Sequence, residues 1–527
     1  MTKTRNPIGW GYLEDRLEDK QRERILPAIQ MFLGGELAEH RPPPDDADVA
    51  ILRAKLTPPD SLREVMATDH ASALLHAAGR SFRDLATLRS GEPVPAPDLV
   101  ATPRDENELA DVLAWASDQS IAVIPFGGGS SVVGGVNPEG LEDRNGVVSL
   151  DLQQLHQVLE VSERDRVVHA QAGILGPDLD AALKPHGLAV RHYPQSYFHS
   201  TLGGWVATRG AGHFSTLRAK IEDRVQALSV MLPDGRVMET RPLPASSIGP
   251  DPNRLWCGSE GALGVIVDAR LRVVADPEHK LSRSVAFEDF PSALEATRAI
   301  VQADLWPSQM RVLDPYEHLV SGALSGRPGQ GALMILGFEG ERDRTHDLDD
   351  ALAIARDHGG TPNPPADNAG SGGWRDTFFR QPYLRDALLD YALIMDTFET
   401  AVPWSALPTF YHEVRQATLN AVNEVGGTGG VTCRVTHAYP DGVCLYFSFY
   451  APGRHDSLVQ QWREIRDAGA EAVNAGGGTQ SHHHAMGRDH QRWAREEIPA
   501  AFRSAVRAAR QELDPRGIMN PGLWFDT

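Results

Sequence analysis

Cysteine is nearly absent from this 527-residue chain: Cys257, Cys433 and Cys444 are all there is, and no two form a C-x-x-C pair. An odd, scattered set builds no disulfide framework and points to a reducing compartment. Long apolar runs are missing too. No stretch approaches the ~18 residues that a membrane-spanning helix needs. The opening residues lack an apolar signal core, and Gly522–Thr527 carries no lipidation or peroxisomal address. Positive charge is in short supply, with 51 Lys and Arg against 71 Asp and Glu and a net charge of −20. Such a surface repels phosphate backbones and anionic headgroups, which argues against nucleic-acid binding and polybasic membrane anchoring. What is present, 41% hydrophobic and 23% charged residues, suits a soluble folded protein rather than a disordered one. A cytoplasmic location is expected, and at ~150 residues per domain the length suggests three or four units.

Residues 1–90 are charged, are interrupted by Pro42, Pro43, Pro44, Pro58 and Pro59, and read as an N-terminal extension wrapping the first domain. That domain covers 91–275. Thr102 with Pro103, Asp105 and Glu106 predicts a helix start, and Leu109, Val112, Leu113 and Ala116 keep helical spacing. The apolar run Ile121–Phe126 predicts a buried strand ending in a glycine loop. Asp234 and Gly235 predict a hairpin between 225–232 and 237–240. The texture changes near 276, where two strand–helix units, 284–304 and 332–358, open a second α+β domain over 276–480. Within it a Gly/Pro/Asn-rich linker is expected at 359–373 and a helical stretch at 383–397. Residues 481–527 read as a helical return segment.

Three consecutive glycines stand within Pro125, Phe126, Gly127, Gly128, Gly129, Ser130 and Ser131, directly after the strand. Glycine lets the chain turn tightly and clears side chains from a ligand's path to the backbone N–H groups. Successive N–H groups in one concavity bind pyrophosphate oxygens, with the two hydroxyls in support. The loop is neither a Walker A sequence nor G-x-G-x-x-G, and alone it fits a cofactor cradle and a plain tight turn about equally well. Two more glycine-rich stretches follow in order. Pro194, Gln195, Ser196, Tyr197, Phe198, His199 and Ser200 lead into 201–212, which contains Ala207, Thr208, Arg209 and Gly210. Gly258, Ser259, Glu260, Gly261, Ala262, Leu263 and Gly264 precede a further strand. The adjacent His482, His483 and His484 lack the i, i+4 spacing of a helical metal pair, so no metal site is expected.

These ordered motifs resemble the flavin-binding domain of the vanillyl-alcohol oxidase superfamily. The resemblance implies an α+β architecture: a PCMH-type domain of two subdomains with FAD between them, contacted by all three motifs, and a ferredoxin-like cap. The rest of the chain resembles the alkyldihydroxyacetonephosphate synthase family. The matching pieces are 9–12, Arg311, 383–386, 398–404, 433–436, 446–449 and 478–484. That resemblance implies a redox-neutral exchange, in which the acyl group of an acyl-dihydroxyacetone phosphate gives way to a long-chain alcohol while flavin N5 holds the three-carbon fragment. Tyr446 matches the family's general base and Arg385 its phosphate contact. His482, His483, His484 and Arg311 are candidates for helping the phenol ionise and the carboxylate depart. A homodimer is implied as well.

The same residues also have plainer readings: Tyr446 as a strand tyrosine with a bonded hydroxyl, Arg385 paired to Asp386 or Asp390, and Arg311 as a structural arginine at a strand end. His199 departs from the family pattern, standing where the animal enzymes carry an apolar residue. With no Cys or His in the Pro125–Ser131 loop, non-covalent FAD is expected, and His199 alone leaves a covalent bond open. A FAD-dependent dehydrogenase or oxidase of a 2-hydroxy acid is the alternative reading, although its paired cap histidines in H-x6-H form are not found. A non-catalytic flavin- or lipid-binding protein is a third, in which Tyr446→Phe changes nothing. Contact with a membrane periphery would have to use an apolar patch, because the charge offers no electrostatic route.

Overall fold

The computed structural model describes residues 3–54, 56–324, 329–364 and 369–524. Short apolar runs separated by turn residues build a four-stranded sheet in the order Met66–Ala67, Leu99–Ala101, Val147–Asp151, Ala122–Phe126, the last three mutually parallel. Helix Glu106–Gln119 packs on it through Leu109, Val112, Leu113 and Ala116, all buried as their spacing predicts. The helix begins later than expected. Its cap is Asp105, whose carboxylate accepts the N–H groups of Asn107 and Glu108, whereas Thr102 donates its own N–H to the Val65 carbonyl and stays in the extended lead-in.

A five-stranded antiparallel sheet follows, ordered Val237–Glu239, Val225–Met231, Val265–Arg272, Val167–Gln171, Val158–Ser162. The expected hairpin forms, with Gly235 at φ +82° in its turn. The two sheets share one core: Met231, Val265 and Val267 pack with Leu109, Val112, Ile518 and Met519. Each such side chain contributes about 1.5–3 kcal/mol on burial, so both subdomains and the chain end are fixed as one unit.

The cap is built on a seven-stranded antiparallel sheet whose connectivity resolves into two ferredoxin-like halves. In the first, Thr361–Pro362, His279–Phe287, Ala332–Gly340 and Gln309–Leu313 lie in the order fourth, first, third, second, with helices Phe290–Gln302 and Thr345–Asp357 between strands. The second runs Leu393–Pro403, helix Leu407–Gly426, Gly430–Ala438, Gly442–Pro452 and helix Leu458–Ala475. The pair Val312↔Val435 joins the halves into one sheet.

Three expectations change here. Residues 383–397 are not one helix, because helix Ala369–Leu389 gives way to strand Leu393–Pro403, whose backbone groups pair with Gly442–Pro452 along its full length. The expected linker at 359–373 includes the paired strand Thr361–Pro362 and the start of that helix, while 365–368 lie outside the described residues. The N-terminal extension also packs on the cap: Ile8, Leu74 and Phe82 share a core with Phe398 and Trp462. Among the described residues no helix is long and apolar enough to cross a membrane.

Candidate active site

Strand Ala122–Phe126 delivers the first glycine loop to the floor of a cavity of ≈ 280 Å³ between the flavin-type domain and the cap. The loop is held by its carbonyl oxygens: Gly127 accepts from the Gln153 amide at 2.9 Å, Gly128 from the Arg5 guanidinium, and Ser131 from Arg80 N–H. The backbone N–H groups of Gly128, Gly129, Ser130 and Ser131 have no protein acceptor among the described residues. Glycine is required at two of these positions. A Cβ on Gly128 would lie 1.9 Å from the His199 carbonyl oxygen, and Gly129 sits at φ +63° with the Phe126 ring in the way. Four unclaimed donors on a glycine turn fit the pyrophosphate of FAD.

All seven residues of that loop line the cavity. From the second motif Pro194, Gln195, Ser196 and Ser200 do so, with Ala207, Thr208 and Gly210 beyond it. From the third come Glu260, Gly261 and Gly264. The remaining predicted contacts lie off the wall and support it. Tyr197 donates its phenol to Asp180 at 2.6 Å, Phe198 is half exposed, Arg209 pairs with Glu222, and Gly258 donates its N–H to the Val206 carbonyl. Ser259, Ala262 and Leu263 are buried behind the loop. The His199 ring does not line the cavity; it meets Trp10 edge-on at 4.9 Å, and burial pushes its pKa well below the usual range. Glu260 accepts N–H bonds from Met486 and Gly487, and burial raises its carboxyl to about 7 against the pull of those donors.

The cap supplies the opposite wall. Tyr446 lies on strand Gly442–Pro452 with cross-strand neighbours Arg434 on one side and Glu399 on the other. Its hydroxyl is 2.8 Å from Thr397 Oγ1, and the Arg434 guanidinium lies 4.5 Å from its ring centroid. Burial raises the phenol above its ordinary value, while Arg434 and then the Thr397 bond act in the opposite direction. The cation beside this phenol is therefore Arg434, which the sequence reading did not single out, although its Cys433–Thr436 string was part of the resemblance. Arg434 is itself held by Glu317 at 2.8 Å.

His483 and His484 line the cavity beside Tyr446, at ring separations of 6.1 and 5.9 Å, whereas His482 lies behind them. One carboxylate organises all three. Glu399 accepts the backbone N–H groups of His482, His483 (3.0 Å) and His484 (2.9 Å) and the Ser481 hydroxyl (2.8 Å). The strings 398–404 and 478–484 are thus two halves of one structure. Burial acts against charge on Glu399, but the imidazoles once acid protonates them, together with the backbone N–H groups it accepts, hold its pKa well below the usual value. Burial likewise drives the imidazoles down, His482 to about 3, so all three rest neutral.

Arg311 and Arg385 line the cavity with Arg434 and Arg466, four guanidiniums in a chain of net charge −20. Arg311 donates to the Thr436 carbonyl, and burial lowers it to about 9, which still leaves it charged at neutral pH. Arg385 is paired with Asp386 at 3.0 Å and donates to the Arg80 carbonyl, so its fork is oriented before any ligand arrives. The plain reading of that arginine and the binding reading therefore coexist. A guanidinium has five donors, and these partners do not use them all.

A FAD-binding domain model matches residues 97–241, and the model of the C-terminal domain of FAD-linked oxidases matches 276–523. The chain is therefore a flavoprotein with the two-domain plan its motifs imply. A solved alkyldihydroxyacetonephosphate synthase superposes with a TM-score of 0.82 at 24% identity, covering 98% of both chains, which establishes the shared fold. Alkyldihydroxyacetonephosphate synthase of Trypanosoma brucei brucei is 29% identical over 88% of this chain and 79% of its own length. That of Dictyostelium discoideum is 30% identical over 88% and 78%. With identity at that level spread over both domains, and the family's motifs meeting in one cavity, the chain belongs to the alkyldihydroxyacetonephosphate synthase family.

Proposed function

We propose that this protein is a FAD-dependent ether synthase, which replaces the acyl group of an acyl-dihydroxyacetone phosphate with a long-chain alcohol without net oxidation. The observation that carries the reading is the single cavity in which unclaimed loop N–H groups face Tyr446, two neutral histidines and four arginines. Gly128–Ser131 would hold the FAD pyrophosphate, and the bound flavin supplies an electrophilic carrier for the three-carbon fragment between loss of the ester and gain of the ether. Arg385, already oriented by Asp386, binds the substrate phosphate as a charge-assisted pair. Tyr446 takes the C1 proton and returns it. The resting phenol is protonated, and Arg434 is the charge that favours its ionised form in the loaded site. His483 and His484, neutral and at the wall, are placed to take and give protons at the departing and entering oxygens. The reading includes a cytoplasmic homodimer that collects its lipid substrate at a membrane surface.

The test is an anaerobic incubation of the holoenzyme with palmitoyl dihydroxyacetone phosphate and hexadecanol, with products read by mass spectrometry and the flavin followed by absorbance. Ether product plus one free palmitate, with the flavin oxidised at the end and product lost in Tyr446→Phe, supports the synthase reading. No ether, together with bleaching by a 2-hydroxy acid, would replace it with a dehydrogenase.

A further inference from the structure

His482 is the one member of the triple histidine that faces away from the reaction cavity. It lines a second, more open pocket of ≈ 450 Å³ together with Tyr439, Lys220, Glu222 and Arg209. The two pockets are joined by hydrogen bonds. Tyr439 Oη is 2.6 Å from His482 Nε2, and His482 Nδ1 is 3.0 Å from His483 Nδ1, whose ring lines the reaction cavity. Tyr439 is fixed at the tip of the hairpin that carries Tyr446: its N–H donates to the Gly442 carbonyl, and its own carbonyl accepts from the Trp404 indole at 2.8 Å. Lys220 donates to the His482 carbonyl at 2.7 Å and fixes the other joint.

We infer that His483, His482 and Tyr439 form a proton relay that carries the reaction's net proton from the reaction cavity to solvent in the second pocket. The inference rests on the ether-synthase reading, whose balance requires an exit. Ester plus alcohol gives ether plus carboxylate plus one proton, the proton being the one the alcohol loses as its oxygen bonds to carbon. Imidazole and phenol are each donor and acceptor at once, as a relay member must be. A proton arriving at His483 Nε2 releases the one on Nδ1 to His482 Nδ1. His482 Nε2–H then passes its proton to Tyr439, and the phenol proton passes to water. Each group ends with the protons it began with, its tautomer shifted. Glu222, on the wall of that pocket, pairs through one carboxylate oxygen with Arg209 and Lys220, and its second, buried oxygen has no partner among the described residues. Burial keeps these rings neutral at rest, so the path starts free of trapped charge.

The same histidines invite a metal reading, since donor atoms of His437, Cys444, His482 and His483 all lie within 4.8 Å of one another. The geometry disfavours it. The rings of His437 and His482 are stacked 30° apart at 4.9 Å, so their in-plane lone pairs do not converge. Both nitrogens of His437 are engaged, by Thr436 Oγ1 and the Gly212 carbonyl, each at 3.1 Å.

Tyr439→Phe in the holoenzyme tests the relay, with ether formation read by mass spectrometry and proton release by an indicator dye in weak buffer. The expected result is kcat lower by ~10²-fold, the scale of a lost proton-transfer group, with KM for the acyl substrate and the flavin spectrum unchanged. The D2O effect on kcat should grow, added imidazole should restore rate in proportion to its concentration, and Tyr439→His should retain most of the activity. A Tyr439→Phe enzyme with wild-type kcat and D2O effect overturns the relay while leaving the synthase reading intact. So does stoichiometric zinc in the purified protein that is lost in His482→Ala, since an ion held by that imidazole would block the path. A wild-type enzyme that makes no ether removes the synthase reading and this inference with it.

Discussion

Glu399 shows how one side chain sets the geometry of a site without touching the reacting atoms. A fully buried carboxylate with no arginine or lysine partner would ordinarily take up a proton. Here four protein donors converge on it, three of them consecutive backbone N–H groups of the triple histidine. Replacement by Gln keeps one carbonyl acceptor but turns an NH2 toward the His482 N–H. The expected cost is about 1–3 kcal/mol of stability at pH 7, the usual cost of leaving a buried donor unpaired, and loss of turnover with the flavin still bound. The pH dependence has a definite sign. Because the folded pKa lies below the ordinary value near 4.5, the wild-type stabilisation is fully present above that pH and disappears as pH falls through the folded value. Urea unfolding of both proteins from pH 7 down to about pH 3 should therefore show a difference that is constant at neutral pH and shrinks below the ordinary carboxylate value, and a difference unchanged to the acid end would refute this account.

At the level of single elements, the glycine loop and the Tyr446 hairpin make the sharpest contrast between what was legible and what was not. The loop could be read locally, because strand, tight turn and missing side chains are all properties of seven consecutive residues. Its packing against the second motif could not. The close approach of Gly128 to the His199 carbonyl sets the expectation for Gly128→Ala, in which a rigid backbone atom must move. Equilibrium dialysis should show FAD affinity lower by at least tenfold, with a fall in thermal midpoint; an unchanged FAD affinity would mean that the loop is not the cradle. In the hairpin, the local pattern showed Tyr446 only as one position of a strand, and the family resemblance alone gave it a role. Its cation is across the ladder, at Arg434, and that pairing depends on a register with a bulge between Val435 and His437 that no local pattern announces. Similarly, the strand–helix units of the cap were readable from periodicity, but the joining of two ferredoxin-like halves through Val312 and Val435 was not. Residues 390–397 misled for a related reason: the helix before them continues close to the strand, and only pairing with Gly442–Pro452 separates the two.

On the scale of the whole molecule, both ends of the chain return to the flavin loops. Near the start, the Arg5 guanidinium bonds the Gly128 carbonyl, while Trp10 lines the cavity and donates its N–H to Asp386, the partner of Arg385. Near the end, Met519 pairs with Val123, and the Asn520 side chain donates to the carbonyls of Gly135 at 3.0 Å and Glu260 at 2.8 Å. The segment that follows the first glycine loop is thus tied to the third motif by a residue more than 250 positions away from either. Folding of the termini and retention of FAD should accordingly be linked. FAD stabilises the native state by RT ln(1 + [FAD]/Kd), about 2.7 kcal/mol at a hundredfold excess over Kd. Asn520→Ala removes two buried hydrogen bonds, which lowers apoprotein stability by about 1–3 kcal/mol and leaves the loops free to separate. If the tie positions the motifs, the variant should also bind FAD about tenfold more weakly, so that the gap between holo and apo stability narrows by about 1.4 kcal/mol at fixed FAD. Denaturant unfolding with and without FAD measures both quantities in one series. A parallel loss in the two forms, with the gap preserved, would show that the C-terminal return stabilises the fold without shaping the flavin site.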